Sequence, residues 1–527
     1  MEGVDVLGVL RQKYQGEIPS LFHHLETVCS EKEKGSTACL RNEEELKARF
    51  PQTYGRPVLH LKKGEAKKAH PLRVGVVFSG GQAPGGHNVI AGLFDALKKL
   101  HQKSTLLGFL DGPNGIIQGK YKELDASSIV SFRNQGGFDL IGSGRTKIES
   151  EDQLESAFKT LTSLNLDGLV IIGGDDSNTN AAILAEYLLQ KGSKTKVIGV
   201  PKTIDGDLQN PWVAIPFGFD TACKVYSEMI GNICKDALSA KKYYHFIKLM
   251  GRSASHITLE CALKTHPNCA LIGEEIAFNK TTLKEITRQL ADLVCKRERE
   301  DKNYGVVLIP EGLIEFIPEI RALIEEINAE TSFDKQALTE SSRECFISLP
   351  EEIQKQLLLD RDPHGNVQVS SIETEKLLIS CVKKELKERS YKGKFSPVAH
   401  FLGYEGRSAL PSNFDANYCY VLGMSACILL KEGLTGYMAF VKNLEKPASE
   451  WQMGGLPLTM LMCLEKRQGK LKPVIQKALV DLGKAPFLHF KQIRQALALQ
   501  DDYKFPGPIQ FFGPQELTDT TPLSLSL

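Results

Sequence analysis

The sequence carries no excess of charge of either sign: 65 Lys and Arg stand against 64 Asp and Glu, a net charge of +1 over 527 residues. Bulk attraction to nucleic acid or to an anionic membrane needs a basic surplus, so neither is expected as a partner and any anion binding has to be local. No stretch approaches ~20 consecutive apolar residues, and no membrane-spanning helix is expected. The opening Met1-Glu2-Gly3-Val4-Asp5 lacks the charged-then-apolar order of a signal peptide and is acidic too early for a transit peptide. The closing Leu525-Ser526-Leu527 lacks the basic middle residue of a peroxisomal tail, which leaves a cytoplasmic location as the expectation. None of the cysteines forms a Cys-x-x-Cys pair, the pattern of reduced, buried thiols rather than of zinc ligands. Also missing are short internal repeats, low-complexity tracts, a Gly-x-Gly-x-x-Gly dinucleotide fingerprint and a P-loop ending in Gly-Lys-Ser/Thr.

What is present is an ordinary globular composition, 42% hydrophobic and 24% charged, in a chain long enough for two or three domains. One stretch concentrates the chemistry. Gly168-Leu169-Val170-Ile171-Ile172 runs into Gly173-Gly174-Asp175-Asp176-Ser177-Asn178, and Val197-Ile198-Gly199-Val200 runs into Pro201-Lys202-Thr203-Ile204-Asp205-Gly206-Asp207. Short apolar runs bounded by turn residues read as buried parallel strands, with residues 178–191 as the crossover helix. In such a sheet, ligands bind beyond the carboxyl ends of the strands. Two glycines, four carboxylates and a lysine are therefore expected at one sheet edge, in the manner of a magnesium-phosphate site.

The rest of the chain is read in order. Residues 1–70 are polar and helix-rich, an N-terminal arm without evident chemistry. Val74–Phe78 is a strand leading through Ser79-Gly80-Gly81 into a helix ending near Leu100. Those glycines serve either a tight turn or an anion at a helix N-terminus. Arg145, among small residues, is either a phosphate clamp or a surface arginine. A helix from 218 to about 240 is the domain crossing. Tyr243–Met250 and Val306–Pro310 are strands ending in Gly251-Arg252 and Glu311, so the second half repeats the doubly wound α/β plan. Residues 314–395 read as a charged helical insertion or cap, with a turn at Asp362-Pro363-His364-Gly365-Asn366. The Tyr404-Glu405-Gly406-Arg407 loop follows, then an apolar helix over 415–435. The expected domains are 1–70 (arm), 71–218 completed by about 408–465, 219–407 with its insertion about 314–395, and 466–527 (helical, then Pro/Gly-punctuated tail).

These loops, in this order over roughly residues 70–515, resemble the phosphofructokinase family, and within it the long, pyrophosphate-dependent type. The resemblance implies two similar α/β domains of the phosphofructokinase type, and phosphoryl transfer from pyrophosphate to the 1-hydroxyl of fructose 6-phosphate. It implies that Gly80, Gly81, Arg145 and Lys202 bind the diphosphate and that Asp175 holds Mg2+. Thr203, Ile204 and Asp205 would face the sugar, with Asp205 as the base. Met250, Gly251, Arg252, Glu311 and Tyr404, Glu405, Gly406 and Arg407 would bind the sugar phosphate. Lys242 and Tyr243 match positions that reach a neighbouring subunit's substrate, which implies a homo-oligomer or a heteromer with a regulatory alpha subunit. Allosteric activation by fructose 2,6-bisphosphate belongs to the same expectation.

Two positions bear on the donor. ATP-using relatives commonly carry glycine where Asp176 and Lys202 stand here. A carboxylate at 176 would lie where the α-phosphate of ATP would sit, and like charges at ~4 Å repel by roughly 4 kcal/mol at an effective dielectric of 20. Lys202 would stabilise the leaving phosphate. Asp207 would either orient Lys202 or a metal-bound water, or simply form an Asx-turn. An ATP-dependent phosphofructokinase and a non-catalytic regulatory subunit are the alternatives. Asp176 and Lys202 oppose the first; retention of Asp175 and Asp205 opposes the second.

Overall fold

The computed structural model describes residues 6–329, 335–359, 361, 366–467 and 470–507; the Asp362–Gly365 part of the expected turn, Pro508 and the two chain termini lie outside the described residues. The chain forms two compact units. The first comprises residues up to Ala222 together with Arg407–Ala478, and the second comprises Cys223–Gly406 together with the segment from Leu479.

The first unit is built on a nine-stranded sheet. Its strands are β1 (Val28–Lys32), β2 (Leu59–Lys63), β3 (Arg73–Ser79), β4 (Thr105–Phe109), β5 (Tyr121–Leu124), β6 (Gly168–Gly173) and β7 (Lys196–Pro201), and further along the chain Tyr437–Lys442 and Gln452–Pro457. In space the order is β1, β2, Gln452–Pro457, Tyr437–Lys442, β7, β6, β3, β4, β5. From Tyr437–Lys442 through β4 neighbouring strands are parallel. The Val/Ile/Leu-rich runs of β3, β6 and β7 are buried along almost their whole length because helices cover both faces.

On one face, Val77, Phe109, Ile171 and Val197 pack with Leu154, Leu161, Ala181 and Leu188 from the helices Glu151–Ser163 and Asp175–Gln190. Alternate strand residues point to the other face. There the helices Gly86–Leu100 and Asn413–Lys431 run against each other so closely that a Cβ on Gly92 would lie 2.0 Å from the Tyr420 carbonyl oxygen. The N-terminal residues, expected as an arm packed on the core or on a partner, join the core here: β1 and β2 extend this sheet, because the edge of Gln452–Pro457 offers unpaired backbone groups to β2. Buried Glu186 anchors the same segment by accepting the backbone N–H groups of Gln52 and Thr53 and the Thr53 hydroxyl.

The second unit has a four-stranded, wholly parallel sheet made of β8 (Tyr243–Leu249), β9 (Cys269–Ala270), β10 (Tyr304–Pro310) and β11 (Pro397–Leu402), in the order β11-β8-β10-β9. The helical segment expected at about 314–395 shares this unit's core rather than capping it. Ile320, Leu323, Phe346, Leu357 and Leu377 pack with Phe246, Val307 and Ile309, and buried Glu375 of the same segment pairs with buried Lys248 of β8 at 3.6 Å.

The segment after 466 is not one tail. The strands β14 (Met462–Arg467) and β15 (Lys470–Ile475) form an antiparallel hairpin in the first unit. The helix Ala485–Leu499 belongs to the second, where fully buried Arg297 pairs with Asp501 at 2.8 Å. Among the described residues no helix is long and apolar enough to cross a membrane. All twelve cysteines are free thiols.

Candidate active site

In the first unit, three adjacent strands end side by side and deliver the sequence's Gly/Asp/Lys loops to one edge. β3 ends at Ser79, where Gly80 turns with a φ of +89°, a conformation that favours glycine. The Gly80 N–H donates to the Gly144 carbonyl, and the Ser143 hydroxyl donates to the Gly80 carbonyl at 2.5 Å, locking two loops together. A Cβ on Gly81 would stand 3.7 Å from a terminal nitrogen of Arg145 and 3.8 Å from one of Arg407, so two guanidinium groups face this backbone. Arg407 is thereby placed beside Gly81 in the first unit, whereas Tyr404, Glu405 and Gly406 belong to the second.

β6 runs into Gly174 and the helix Asp175–Gln190, with Asp175 and Asp176 in the first turn, where carboxylates oppose the helix dipole favourably. The Asn178 amide holds the turn by donating to the Gly173 and Gly174 carbonyls. The Ser177 hydroxyl bonds Ser79 across the strand ends at 2.8 Å. Asp176 meets Lys147 Nζ at 3.3 Å.

β7 leads to Lys202, whose Nζ donates to the Gly81 carbonyl at 2.6 Å. Burial pulls the Lys202 ammonium down to about 8, opposed by the charges of Asp205 and Asp175. After Lys202, Asp205 is set by its own N–H donating to the Thr203 hydroxyl, and Gly206, at a φ of +78°, reverses the chain toward Asp207. Asp207 is only 4% exposed; burial first, then the charges of Asp205 and Asp175, push its carboxyl up to about 7. Four aspartates, two lysines and two arginines thus converge on one sheet edge. Of these, Asp175, Asp205 and Asp207 stand close enough for their charges to oppose one another, a repulsion that a cation relieves.

In the second unit the ends of β8 and β10 lie together. The Gly251 N–H donates to Glu311 Oε2 at 3.0 Å, and the Glu311 N–H to the Leu249 carbonyl at 2.9 Å. Met250 N–H donates to the Leu402 carbonyl, and Gly403 N–H to Glu405 at 2.7 Å. Met250–Arg252, Glu311 and the one-turn helix entered at Tyr404 are therefore one neighbourhood. Lys242 and Tyr243 are not part of it. They sit at the opposite end of β8, about 20 Å away along a seven-residue strand, with Tyr243 43% exposed.

The phosphofructokinase family model matches residues 73–430, which include these loops. The chain belongs to that family. It is 51% identical to the pyrophosphate–fructose 6-phosphate 1-phosphotransferase of Treponema pallidum, over 99% of this chain and 97% of that one. It is 56% identical to subunit beta 1 of the like-named protein of Arabidopsis thaliana, over 90% of this chain and 86% of that one. The crystal structure of a pyrophosphate-dependent phosphofructokinase from Nitrosospira multiformis matches with a TM-score of 0.56 over 84% of this chain and 95% of that one. At 17% identity that likeness speaks for the fold alone.

Within this phosphofructokinase, magnesium fits the donor edge on two grounds. Mg2+ is ordinarily held by one or two carboxylates with substrate phosphates and water, not by a protein cage. Asp175 and Asp207 share Lys477 as a partner, at 3.6 and 3.8 Å, and the charges of Asp205 and Asp175 add to burial in pushing the Asp207 carboxyl up. Two lysines escaped the reading of the sequence. Lys147 stands two residues after Arg145 in the same loop, a spacing that could have marked it. Lys477, at 3.6 Å from Asp175 and 3.8 Å from Asp207, comes from the far end of the chain and has no local signal.

Proposed function

We propose that this protein catalyses reversible phosphoryl transfer from pyrophosphate to the 1-hydroxyl of fructose 6-phosphate, giving fructose 1,6-bisphosphate and phosphate. The observation that carries the reading is the pair of charges, Asp176 and Lys202, at the donor edge. Lys202 is buried against the Gly81 carbonyl, and Asp176 stands in the first helical turn beside Lys147. A compact, highly charged diphosphate is complementary to that lysine, while the Asp176 carboxylate repels the longer triphosphate of a nucleotide. The printed names of the Treponema and Arabidopsis relatives support the same donor and acceptor.

Phosphoryl transfer asks the protein mainly to position its reactants and to neutralise charge. Gly80 and Gly81 bring backbone close to the diphosphate, and Arg145, Arg407 and Lys202 surround it with positive charge. Asp205 takes the proton of the sugar 1-hydroxyl as its oxygen bonds to the transferring phosphorus. The bond from that phosphorus to the bridging oxygen breaks, and phosphate leaves against Lys202. As a general base Asp205 contributes on the order of 10²–10⁴-fold. Mg2+, held by Asp175, would supply charge neutralisation on the diphosphate oxygens. Thr203 and Ile204 are assigned to the sugar, and Met250, Gly251, Arg252, Glu311, Tyr404, Glu405 and Gly406 to its phosphate.

Lys242 and Tyr243, remote from Met250–Arg252 along β8, are assigned to a neighbouring subunit's substrate. The partner is another copy of this chain or an alpha-type subunit, a choice to which the subunit name of the Arabidopsis relative is relevant.

The deciding experiment is fructose 6-phosphate turnover by the purified chain with magnesium and either pyrophosphate or ATP. Turnover with pyrophosphate alone is expected. Turnover with ATP alone overturns the donor, and inactivity of the folded chain with both overturns its self-sufficiency as a catalyst.

A further inference from the structure

The family model ends at residue 430, yet a later segment is laid across the donor edge. From β15 the chain is tied down at three successive points. The Ile475 N–H donates to the Thr179 hydroxyl at 3.1 Å, the Gln476 N–H to the Leu461 carbonyl at 3.1 Å, and the Ala478 N–H to the Asp207 carbonyl at 2.8 Å. Between the last two anchors Lys477 reaches Asp175 Oδ2 at 3.6 Å and Asp207 Oδ2 at 3.8 Å, its side chain still 29% exposed. A lysine of the hairpin itself, Lys472, bonds Glu149 at 3.0 Å. Glu149 in turn lies 3.8 Å from Lys147, the partner of Asp176.

An alternating row of charges therefore runs from each of two donor-edge aspartates to the C-terminal hairpin. The distances from Lys477 to its two carboxylates, 3.6 and 3.8 Å, are those of an ion pair, longer than a hydrogen bond. A lysine is suited to a change of partner: it is a compact charge on a flexible stem, able to leave a carboxylate for a phosphate oxygen without the fixed geometry an arginine requires.

We propose that Lys477 is a donor-binding residue that exchanges partners. Without diphosphate it neutralises Asp175 and Asp207; when the donor and its cation occupy those carboxylates, it turns to the diphosphate. The inference rests on the reading of pyrophosphate as donor given above. It makes the hairpin and the strand end after it part of the donor site, although they lie beyond the residues that the family model matches.

Two binding measurements on the full chain test it, each with a sign opposite to the other. Mn2+ binding without diphosphate, followed by electron paramagnetic resonance, reports the carboxylates that Lys477 covers. Lys477→Met is expected to tighten it by roughly threefold, the scale of one half-exposed ion pair. Calorimetric titration with magnesium pyrophosphate is expected to weaken on the order of tenfold or more, the scale of one lost charge-assisted hydrogen bond. Lys477→Arg, which keeps the charge, is expected to restore most of the diphosphate affinity, and the KM for fructose 6-phosphate is expected to stay as in the wild type. Lys477→Gln serves the same comparison if the methionine variant does not fold.

Unchanged diphosphate affinity, unchanged Mn2+ affinity, or an arginine variant as weak as methionine overturns the proposal. If the wild type turns over fructose 6-phosphate with pyrophosphate while the variants bind like it, only the role of Lys477 fails. If the wild type neither binds nor uses pyrophosphate, the donor assignment itself fails.

Discussion

The roles proposed for single residues at the donor edge are separable. Asp205→Ala is expected to leave fructose 6-phosphate and pyrophosphate affinities nearly unchanged and to lower kcat by about 10²-fold or more, the range of a lost general base. Calorimetry beside steady-state kinetics reads both, and retained turnover refutes the assignment. Asp176→Gly removes the charge that opposes a nucleotide α-phosphate, and with Lys202→Gly it is expected to gain measurable turnover with ATP. A folded double variant inert to ATP would show that some other group excludes the nucleotide.

Lys202 adds a pH dependence whose sign is determined. Its buried ammonium titrates at about 8, so in the free enzyme the charge is complete well below that pH and is lost as the pH rises through it. The kcat/KM for pyrophosphate is therefore expected to fall on an alkaline limb near pH 8. Lys202→Arg, protonated throughout, should remove that limb even if its overall rate is lower. A limb unmoved by the arginine substitution belongs to another group.

At the level of elements, the helix Phe219–Ala240 depends on one residue from a distant helix. Fully buried Asp415 accepts the Gly218 and Thr221 N–H groups at 3.0 and 2.8 Å and the Thr221 hydroxyl at 2.5 Å. It thus satisfies backbone donors that the start of a helix leaves without partners. Burial, then the charge of Asp220, push its carboxyl from 3.8 up to about 7. The folded protein consequently holds a proton that the unfolded chain releases. That contribution to stability is fully present below about pH 4 and is lost as the pH rises through about 7. Asp415→Asn lacks this titration, so the fall in urea midpoint between pH 5 and 8 should be shallower in the variant. At low pH the variant should also be less stable by about 1–3 kcal/mol, because an amide cannot accept all three donors.

The whole molecule consists of two units, each with its own sheet and core. A ligand that binds only the native donor edge stabilises the first unit by mass action, about 2.7 kcal/mol at a hundredfold excess over Kd. Scanning calorimetry with magnesium pyrophosphate is therefore expected to raise the transition that includes the nine-stranded sheet. If the two units melt in separate steps, the other transition should stay in place. A shift confined to that other transition would remove the donor from the first unit.

The three strand-to-loop junctions at Gly80, Gly173 and Pro201 were legible in the sequence. A buried parallel strand is a continuous apolar run, and a ligand loop at its end needs glycine, aspartate or lysine within a few residues. Both signals are local, and so was the pair of charges at 176 and 202. Tertiary structure alone decided the rest. It put Gln452–Pro457 between Tyr437–Lys442 and β2, and so joined residues 28–63 to a sheet whose other strands lie far along the chain. It also assigned Arg407 to Gly81 and split the C-terminal segment between the two units.

Lys477 shows the physical reason most plainly. Its partner Asp175 lies about three hundred positions earlier in the sequence, and nothing in Val474-Ile475-Gln476-Lys477-Ala478 distinguishes it from a solvated lysine. Local sequence determines which backbone forms a strand or a turn. Which charges then become neighbours is set by strand order and by the backbone hydrogen bonds that tie distant segments together.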